Sequence, residues 1–307
     1  MGSINLAAKY SPILDEIYKR EACTAPLMIN PMNIRFGDAG TVYLFEYDDL
    51  NGMANYSRSG GFVAGAVTNK WTPYTLTQDR GRSFQVDTVD NAHTMNMLYG
   101  RLLAEFTRTR LIPEMDAYRF ATLAGTTGIG GASADITVGT TDVPGLIDTA
   151  MGEMDDKEVP VEGRILFVSE LAYRGLKAKI TRMLANERGV NREVEVYGDM
   201  IVRRVPKCRF CTGITMLDGT TSGQTDGGYT FTASSSKPIN FMIVHPTACA
   251  AIVDHSTIRQ FSPNENQTAD AYKLDYRVFH DILIPKKKVD GIYVHTASTA
   301  LAADIHG

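Results

Sequence analysis

The chain has 307 residues, a formal net charge of −4 and 44% hydrophobic residues, a length that predicts two domains sharing a core region. A slightly acidic chain is not a dedicated nucleic-acid binder gripping phosphates, no apolar run reaches bilayer-spanning length, and no signal-like segment opens the chain. Four cysteines (Cys23, Cys208, Cys211, Cys249) in a chain this long are no disulfide framework and point to assembly in a reducing cytosol.

Residues 2–32 hold one short helical patch, LAAKYSPILDEIYKREA, followed by Pro26, Pro31 and small residues. This lacks the content of a domain and reads as an arm that lies on something else. TVYLFEYD at Thr41–Asp48 is rich in β-branched and aromatic residues and predicts a strand. Residues 51–69 are Gly- and Ser-rich around Arg58-Ser-Gly-Gly-Phe62, and the chain leads back through Trp71 and Tyr74. Thr41–Asp87 as a whole reads as a long two-stranded excursion, which needs a neighbour to lean on because such ribbons are marginal alone in water.

From Leu76 the pattern has period two, with Leu76, Gln78 and Arg80 facing one way and Thr77 and Asp79 the other. Phe84 and Val86 then alternate with Gln85 and Asp87, as in a solvated strand rather than a core one. At Asp90, a good N-cap, the period turns helical: Met95, Leu98, Leu102 and Phe106 paint one apolar stripe. Pro113 is expected to kink this helix, and Met115, Tyr118 and Leu123 carry it on to Gly125. At 1.5 Å per residue it is roughly 50 Å long, a beam rather than the wall of an active site.

GTTGIGGASADITVGT reads as a flexible joint. Asp142 then caps a helix with Pro144 in its first turn, and Leu146, Ile147, Ala150, Met151 and Met154 supply the buried face. RILFVS at Arg164–Ser169 is a strand covered on both faces, and Ser169 caps a helix through Ile180. A second buried strand, INFMIV at Ile239–Val244, leads through His245-Pro246 into a helix at TACAAIVD. Asp218–Lys237 reads as a surface loop or hairpin. Near the end, YRVFHDILI and GIYVHTA flank Pro285-Lys-Lys-Lys288 as an antiparallel pair with a basic turn.

The chemistry-bearing residues form no catalytic pattern. Six histidines (His93, His245, His255, His280, His295, His306) include no HExxH pair, and no nucleophile elbow is present. His245 reads as a loop or cap residue, and His280 and His295 as cross-strand neighbours. The glycines of Gly125–Gly131 follow a helix, whereas a dinucleotide fingerprint follows a strand, and no Walker lysine comes after them.

Cys208-Arg-Phe-Cys211 is the one metal or redox candidate. A structural zinc needs two more ligands, with Cys249 and His245 available only if the fold brings them near. Thiols packed in a domain are the plainer reading. Glu153, Asp155, Asp156 and Glu158 around Lys157 read as a solvated helix end. The clusters Arg203, Arg204, Lys207, Arg209 and Lys286–Lys288 offer at most weak, sequence-blind contact to phosphates.

The order of parts, together with INLAAKYSPILDE, YTLTQDRGRSFQVDTVDNAHTMNMLYGRLLAEFTRTRLIPEMDAYRF and FMIVHP, resembles a major capsid protein of a tailed bacteriophage with the HK97-type coat fold. The resemblance covers most of the chain and is weakest at Asp218–Lys237. It implies an α+β class: an N-terminal arm at 1–40, an extended β-hairpin loop at 41–87, and a peripheral domain with the spine helix at 88–141. An axial α/β domain follows at 142–262, and C-terminal strands at 263–307 return to the peripheral domain.

The implied function is that of a non-enzymatic coat subunit. It forms hexamers and pentamers of an icosahedral head that encloses double-stranded DNA, assembled in the bacterial host cytoplasm and ending in the virion. Implied partners are further copies of the chain, a scaffolding protein, a portal, a decoration protein, and DNA through weak non-specific contact, with no membrane. The resemblance implies no catalytic, cofactor or metal residue. Some phages with this fold cross-link subunits through a lysine on the extended loop; Lys70 lies there, but no catalytic acid can be matched to it. Arg58 and Arg82 are the candidates for inter-subunit ion pairs. Two alternatives remain at this point: an encapsulin-like protein nanocompartment, and a soluble α/β metal-binding protein using Cys208 and Cys211.

Overall fold

The computed structural model describes residues 22–28, 34–37, 40–50, 52–65, 67–88, 102, 104–187 and 190–306. Most of the N-terminal arm, with its helical patch, lies outside them. So do Asp90, Met95, Leu98 and His93 in the first half of the expected long helix.

Ile34–Phe36 (β1), Thr41–Leu50 (β2) and Val67–Thr75 (β3) form an antiparallel ribbon in the order β1-β2-β3. Its pairing runs from Thr41 opposite Thr75 to Leu50 opposite Val67. The two-stranded excursion therefore ends at Thr75 rather than Asp87. Gln78–Asp87 (β4) leaves the ribbon and pairs along its whole length with a late strand, Ala271–Leu283. Its side chains alternate in burial as the period-two pattern requires, with Gln78, Arg80 and Phe84 half-buried, Val86 buried, and Asp79, Gln85 and Asp87 exposed. Gly81 permits the close pairing, since a Cβ there would lie 2.9 Å from the Tyr276 carbonyl oxygen.

The proline does not break the helix. Thr107–Leu111 is a π turn in which the Ile112 amide donates to the Thr107 carbonyl, and Ile112–Gly125 (α1) follows directly. Pro113 has no amide to give to Thr109, and its ring would clash with that carbonyl. Widening the preceding turn by one residue relieves both problems and lets the helix run on. Past the proline, α1 is buried on every face: Ile112, Met115, Ala117, Phe120 and Leu123 are covered, and so are Asp116 and Arg119. It is the post around which the rest packs.

Gly130–Ser133 (β5) is a strand, not a joint, and pairs parallel with Ile292–Thr296. A Cβ at Gly130 would lie 2.8 Å from the Tyr293 ring, so the missing side chains serve close approach rather than flexibility. Val143–Asp156 (α2) begins as expected, with the Asp142 side chain accepting from the Gly145 amide at 3.3 Å. Ile165–Ser169 (β6) is covered on both faces, and Ser169 Oγ accepts from the Ala172 amide at 3.3 Å. The helix it caps, Glu170–Leu176 (α3), ends before Ile180, and Thr181–Glu187 (β7), Val190–Tyr197 (β8) and Met200–Val205 (β9) follow.

Thr215–Met216 (β10) and Tyr229–Phe231 (β11) pair antiparallel, so the segment from Asp218 takes the hairpin form of the two expected, with Tyr229 and Phe231 buried. Ile239–Val244 (β12) is buried throughout. The helix expected at TACAAIVD is one 3₁₀ turn, Pro246–Ala248, followed by the strand Ala250–Phe261 (β13). Ala271–Leu283 (β14) pairs with β13 on one edge and β4 on the other. That pairing overrides the weak helical preference of the alanines. Ile292–Thr296 (β15) lies in a different sheet from β14, so the expected antiparallel pair does not form. The 3₁₀ turn Lys286–Gly291 carries the chain between the two sheets. Ile305–His306 (β16) completes the small sheet in the order β10-β11-β16.

The seven-stranded sheet has the order β5-β15-β12-β6-β9-β8-β7. Alternation divides its central strands between two cores. Ile165, Phe167, Met242 and Val244 face Phe120 and Leu123 of α1. Leu166, Val168, Phe241 and Ile243 face Ile147, Ala150 and Met154 of α2 and Ala172 and Leu176 of α3. The Phe120 ring lies edge-on to Phe167 at 5.1 Å and to Phe210 at 4.9 Å, which locks α1 against the sheet.

Candidate interaction surfaces

The ribbon tip is a tight turn on a long lever. Ser57 and Gly61 form an antiparallel bridge, with the Gly61 amide donating to the Ser57 carbonyl at 2.7 Å. Gly61 has φ +77, a conformation that a side chain would strain. The Tyr56 and Phe62 rings lie 4.9 Å apart, yet Phe62 is 90% exposed, and Met53 and Val63 are exposed too. The only charge in residues 52–65 is Arg58, also exposed. Met53, Phe62 and Val63 thus gather exposed apolar surface at the ribbon tip. Lys70 is exposed on β3, opposite Glu46 in register.

Arg82 lies on β4, not on the ribbon. It borders a cleft of about 390 Å³ together with Phe84, Phe106, Arg110, Asp226 and Tyr276. Its guanidinium reaches the Thr225 carbonyl at 3.4 and 3.5 Å, so it faces a loop of its own chain. Beside it, Arg80 is fully engaged: Nε donates to Glu114 at 2.7 Å and Nη1 to the Leu217 carbonyl at 2.7 Å.

The N-terminal segment is clasped to α1. The buried Asp116 carboxylate accepts from the amides of Cys23 at 2.9 Å and Thr24 at 3.1 Å, from Thr24 Oγ1 at 2.5 Å, and from Arg209 Nη1 at 3.3 Å. Arg119 Nη1 donates to Thr24 Oγ1 at 3.1 Å. Nothing in the sequence pattern flagged this clasp; an acid and a base three residues apart within an apolar helix were its only signal.

The cysteines are packed, not assembled into a centre. Cys208 lies in the turn Lys207–Arg209, and Cys211 is buried with its thiol 3.7 Å from the Lys207 carbonyl. Phe210 belongs to the α1-side core and Cys211 to a separate cluster with Tyr229 and Phe231. Burial first of all pushes Cys23, Cys211 and Cys249 up to about 12, so none is poised as the thiolate that a metal or a redox reaction needs. Among the described residues no three His, Cys, Asp or Glu side chains come together as a metal site.

His245 is a cap, its Nδ1 accepting from the Thr247 amide at 3.3 Å while Nε2 lies 3.1 Å from the Glu162 carbonyl. His295 stacks on Phe241 at 4.8 Å with Nδ1 3.1 Å from Asn240 Nδ2, whereas His280 packs against Tyr118; being in different sheets, the two are not cross-strand neighbours. The carboxylate run is not wholly solvated: Asp155 receives Arg164 Nη2 at 2.6 Å, and that arginine is fully buried. Its 51%-exposed carboxylate closes a pocket in which Arg164 also donates to the carbonyls of Pro160 and Val159. The basic cluster around the CxxC is likewise engaged within the chain, Arg209, inside the motif, on Asp116 and Arg204 over the Tyr173 ring at 4.6 Å. Lys286–Lys288 are exposed.

No family model matches the chain, and no curated protein does. Solved structures do. The acidic stable capsid structure of Helicobacter pylori bacteriophage KHP30 superposes with a TM-score of 0.58 at 9% identity, covering 92% of this chain and 91% of that one. Gordonia phage Cozz gives 0.56 at 12% identity over 91% and 87%, and the capsid structure of the cyanophage P-SCSP1u gives 0.52 at 12% over 86% and 85%. Among the described residues no helix is long and apolar enough to cross a membrane. The chain has the α+β fold of phage capsid structures, the HK97-type coat fold.

Proposed function

We propose that the chain is the coat subunit of a tailed-phage head, forming hexamers and pentamers of an icosahedral shell around double-stranded DNA. The observation that carries this reading is a shared fold over about nine-tenths of the chain with the KHP30 capsid structure. The ribbon supports it. A lever ending in exposed Met53, Phe62 and Val63 buries little within its own subunit and makes physical sense lying on the next one. Head-to-tail contacts of that kind close into rings. On this reading the ribbon to Thr75 is the extended loop, and α1 with the β13-β14-β4 sheet is the peripheral domain. The α2 and α3 side of the seven-stranded sheet is the axial domain, which gives up β13 to its neighbour. The subunit acts as a wall and has no catalytic role. Scaffold, portal and decoration proteins are the further partners this reading carries.

Electron microscopy with light scattering on the purified recombinant chain tests it. Shells, tubes or five- and six-fold rings are expected, and nucleic acid inside particles from infected cells. Particles holding only protein would replace the phage head with a nanocompartment, and a small, discrete oligomer under scaffold-supplemented conditions would overturn the shell reading.

A further inference from the structure

At the root of the ribbon lies a buried imidazole that a wall does not require. His280 on β14 has none of its surface exposed, and among the described residues neither ring nitrogen has a hydrogen-bond partner. Its Cα partners are Val253 on β13 and Gln78, the first residue of β4. Tyr118 of α1 meets it edge-on at 5.7 Å.

The next residue, Asp281, is a hub. It accepts from the Thr77 amide and Thr77 Oγ1, both at 2.8 Å, from Tyr118 Oη at 2.9 Å, and from the Ile282 amide at 2.8 Å. Thr77 stands between the last ribbon strand and β4. One small cluster thus joins the ribbon root, α1 and β14.

The surroundings of His280 oppose a proton from every side. Burial acts first, then the positive charges of Arg119 on α1 and Arg80 on β4. Tyr118 is neutral, the Asp281 carboxylate is taken up by Thr77 and Tyr118, and on β13 the opposed residue is Val253 with Asp254 beside it exposed. Burying an unpaired imidazolium here is far costlier than burying the neutral ring.

We propose that His280 is a proton-operated latch: uncharged, it lets α1 close on the β4–β14 pair, and protonated, it opens that contact, releases the Thr77–Tyr118–Asp281 hub and frees the ribbon root. The latch is a property of the single subunit and does not depend on the shell reading. Its folded-state value is lowered from 6.5 to about 3. The stabilisation is therefore present above the unfolded value and is lost as pH falls below it, the opening equilibrium growing about tenfold per pH unit.

Native-state hydrogen exchange on the full chain, at about pH 6.5 and about pH 5 with intrinsic rates corrected, reads the latch directly. Amides of β4's first residues and of α1 around Tyr118 are expected to open about sixteenfold more often at the lower pH, since the open-state imidazole is already about half protonated at the higher one. His280→Phe, which keeps the ring and cannot titrate, is expected to remove that rise. The same rise in the variant would overturn the proposal. A second readout holds even if the variant does not fold: the His280 ring carbons in the wild-type chain stay silent to NMR titration while the segment is closed. A ring titrating near its ordinary value in the folded chain would overturn the latch.

Discussion

Thr24 and Asp116 stand 92 residues apart in the chain and are joined twice, amide to Oδ1 at 3.1 Å and hydroxyl to Oδ1 at 2.5 Å. The contact pins the segment at 22–28 to α1, which is buried on every face past Pro113. Asp116 has no exposed surface and also holds Arg209. Asp116→Ala leaves that arginine and two amides facing an apolar gap and is expected to destabilise the subunit by about 3–5 kcal/mol. Thr24→Val, which removes one hydroxyl, costs about 1–2 kcal/mol. Urea denaturation of the unassembled subunit measures both, and a loss under ~0.5 kcal/mol for Asp116→Ala would refute the clasp.

Ribbon-tip substitutions are expected to separate folding from assembly. Phe62 and Met53 touch little of their own subunit, so Phe62→Asp and Met53→Asp should leave stability within ~0.5 kcal/mol of wild type. Shells or rings should nevertheless be lost, because a charge is then buried at a contact built for apolar side chains. Thermal melts beside particle counts decide the matter; unchanged assembly in both variants would mean that the tip faces solvent in the particle.

Charge reversal distinguishes the two arginines. Arg58 is exposed at the tip, and Arg58→Glu should lower assembly yield most at low salt without changing the melting temperature. Arg82 instead faces the Thr225 carbonyl across the cleft. Arg82→Glu is expected to loosen the 218–228 loop in the isolated subunit, seen as faster proteolysis there. Equal behaviour of the two variants would contradict this division.

Thiol labelling gives a fourth test. Burial holds Cys211 and Cys249 up at about 12, so the thiolate fraction near pH 8 is about one in ten thousand. Cys208, half-exposed in its turn, should react first with a disulfide reagent, and Cys211 and Cys249 only as fast as the chain unfolds. Cys208→Ser should leave stability and metal content unchanged; stoichiometric zinc lost with that substitution would revive the metal-binding reading.

Much of the local structure was legible in the residues alone. Asp142 and Ser169 announced their helices because a short polar side chain ahead of an apolar run has few other uses. Arg164–Ser169 and Ile239–Val244 announced buried strands because only a strand covered twice tolerates so continuous an apolar run. The errors fell where pairing partners are distant. TACAAIVD looks helical by composition but is held as a strand by β14, and the glycines of 130–133 look like a joint but lie along Tyr293. The residues of β4 read as a solvated strand, and its partner lies near the C-terminus rather than in the ribbon.

The sequence by itself determined which segments are helix or strand wherever caps and periodicity are local, because those signals are carried by neighbours within a turn or two. Only the tertiary structure decided which sheet each strand joins, that Asp116 and Arg164 are buried with partners, and that His280 and His295 never meet. Those outcomes rest on contacts between residues far apart in the chain, whose energies depend on burial and geometry that no local pattern encodes.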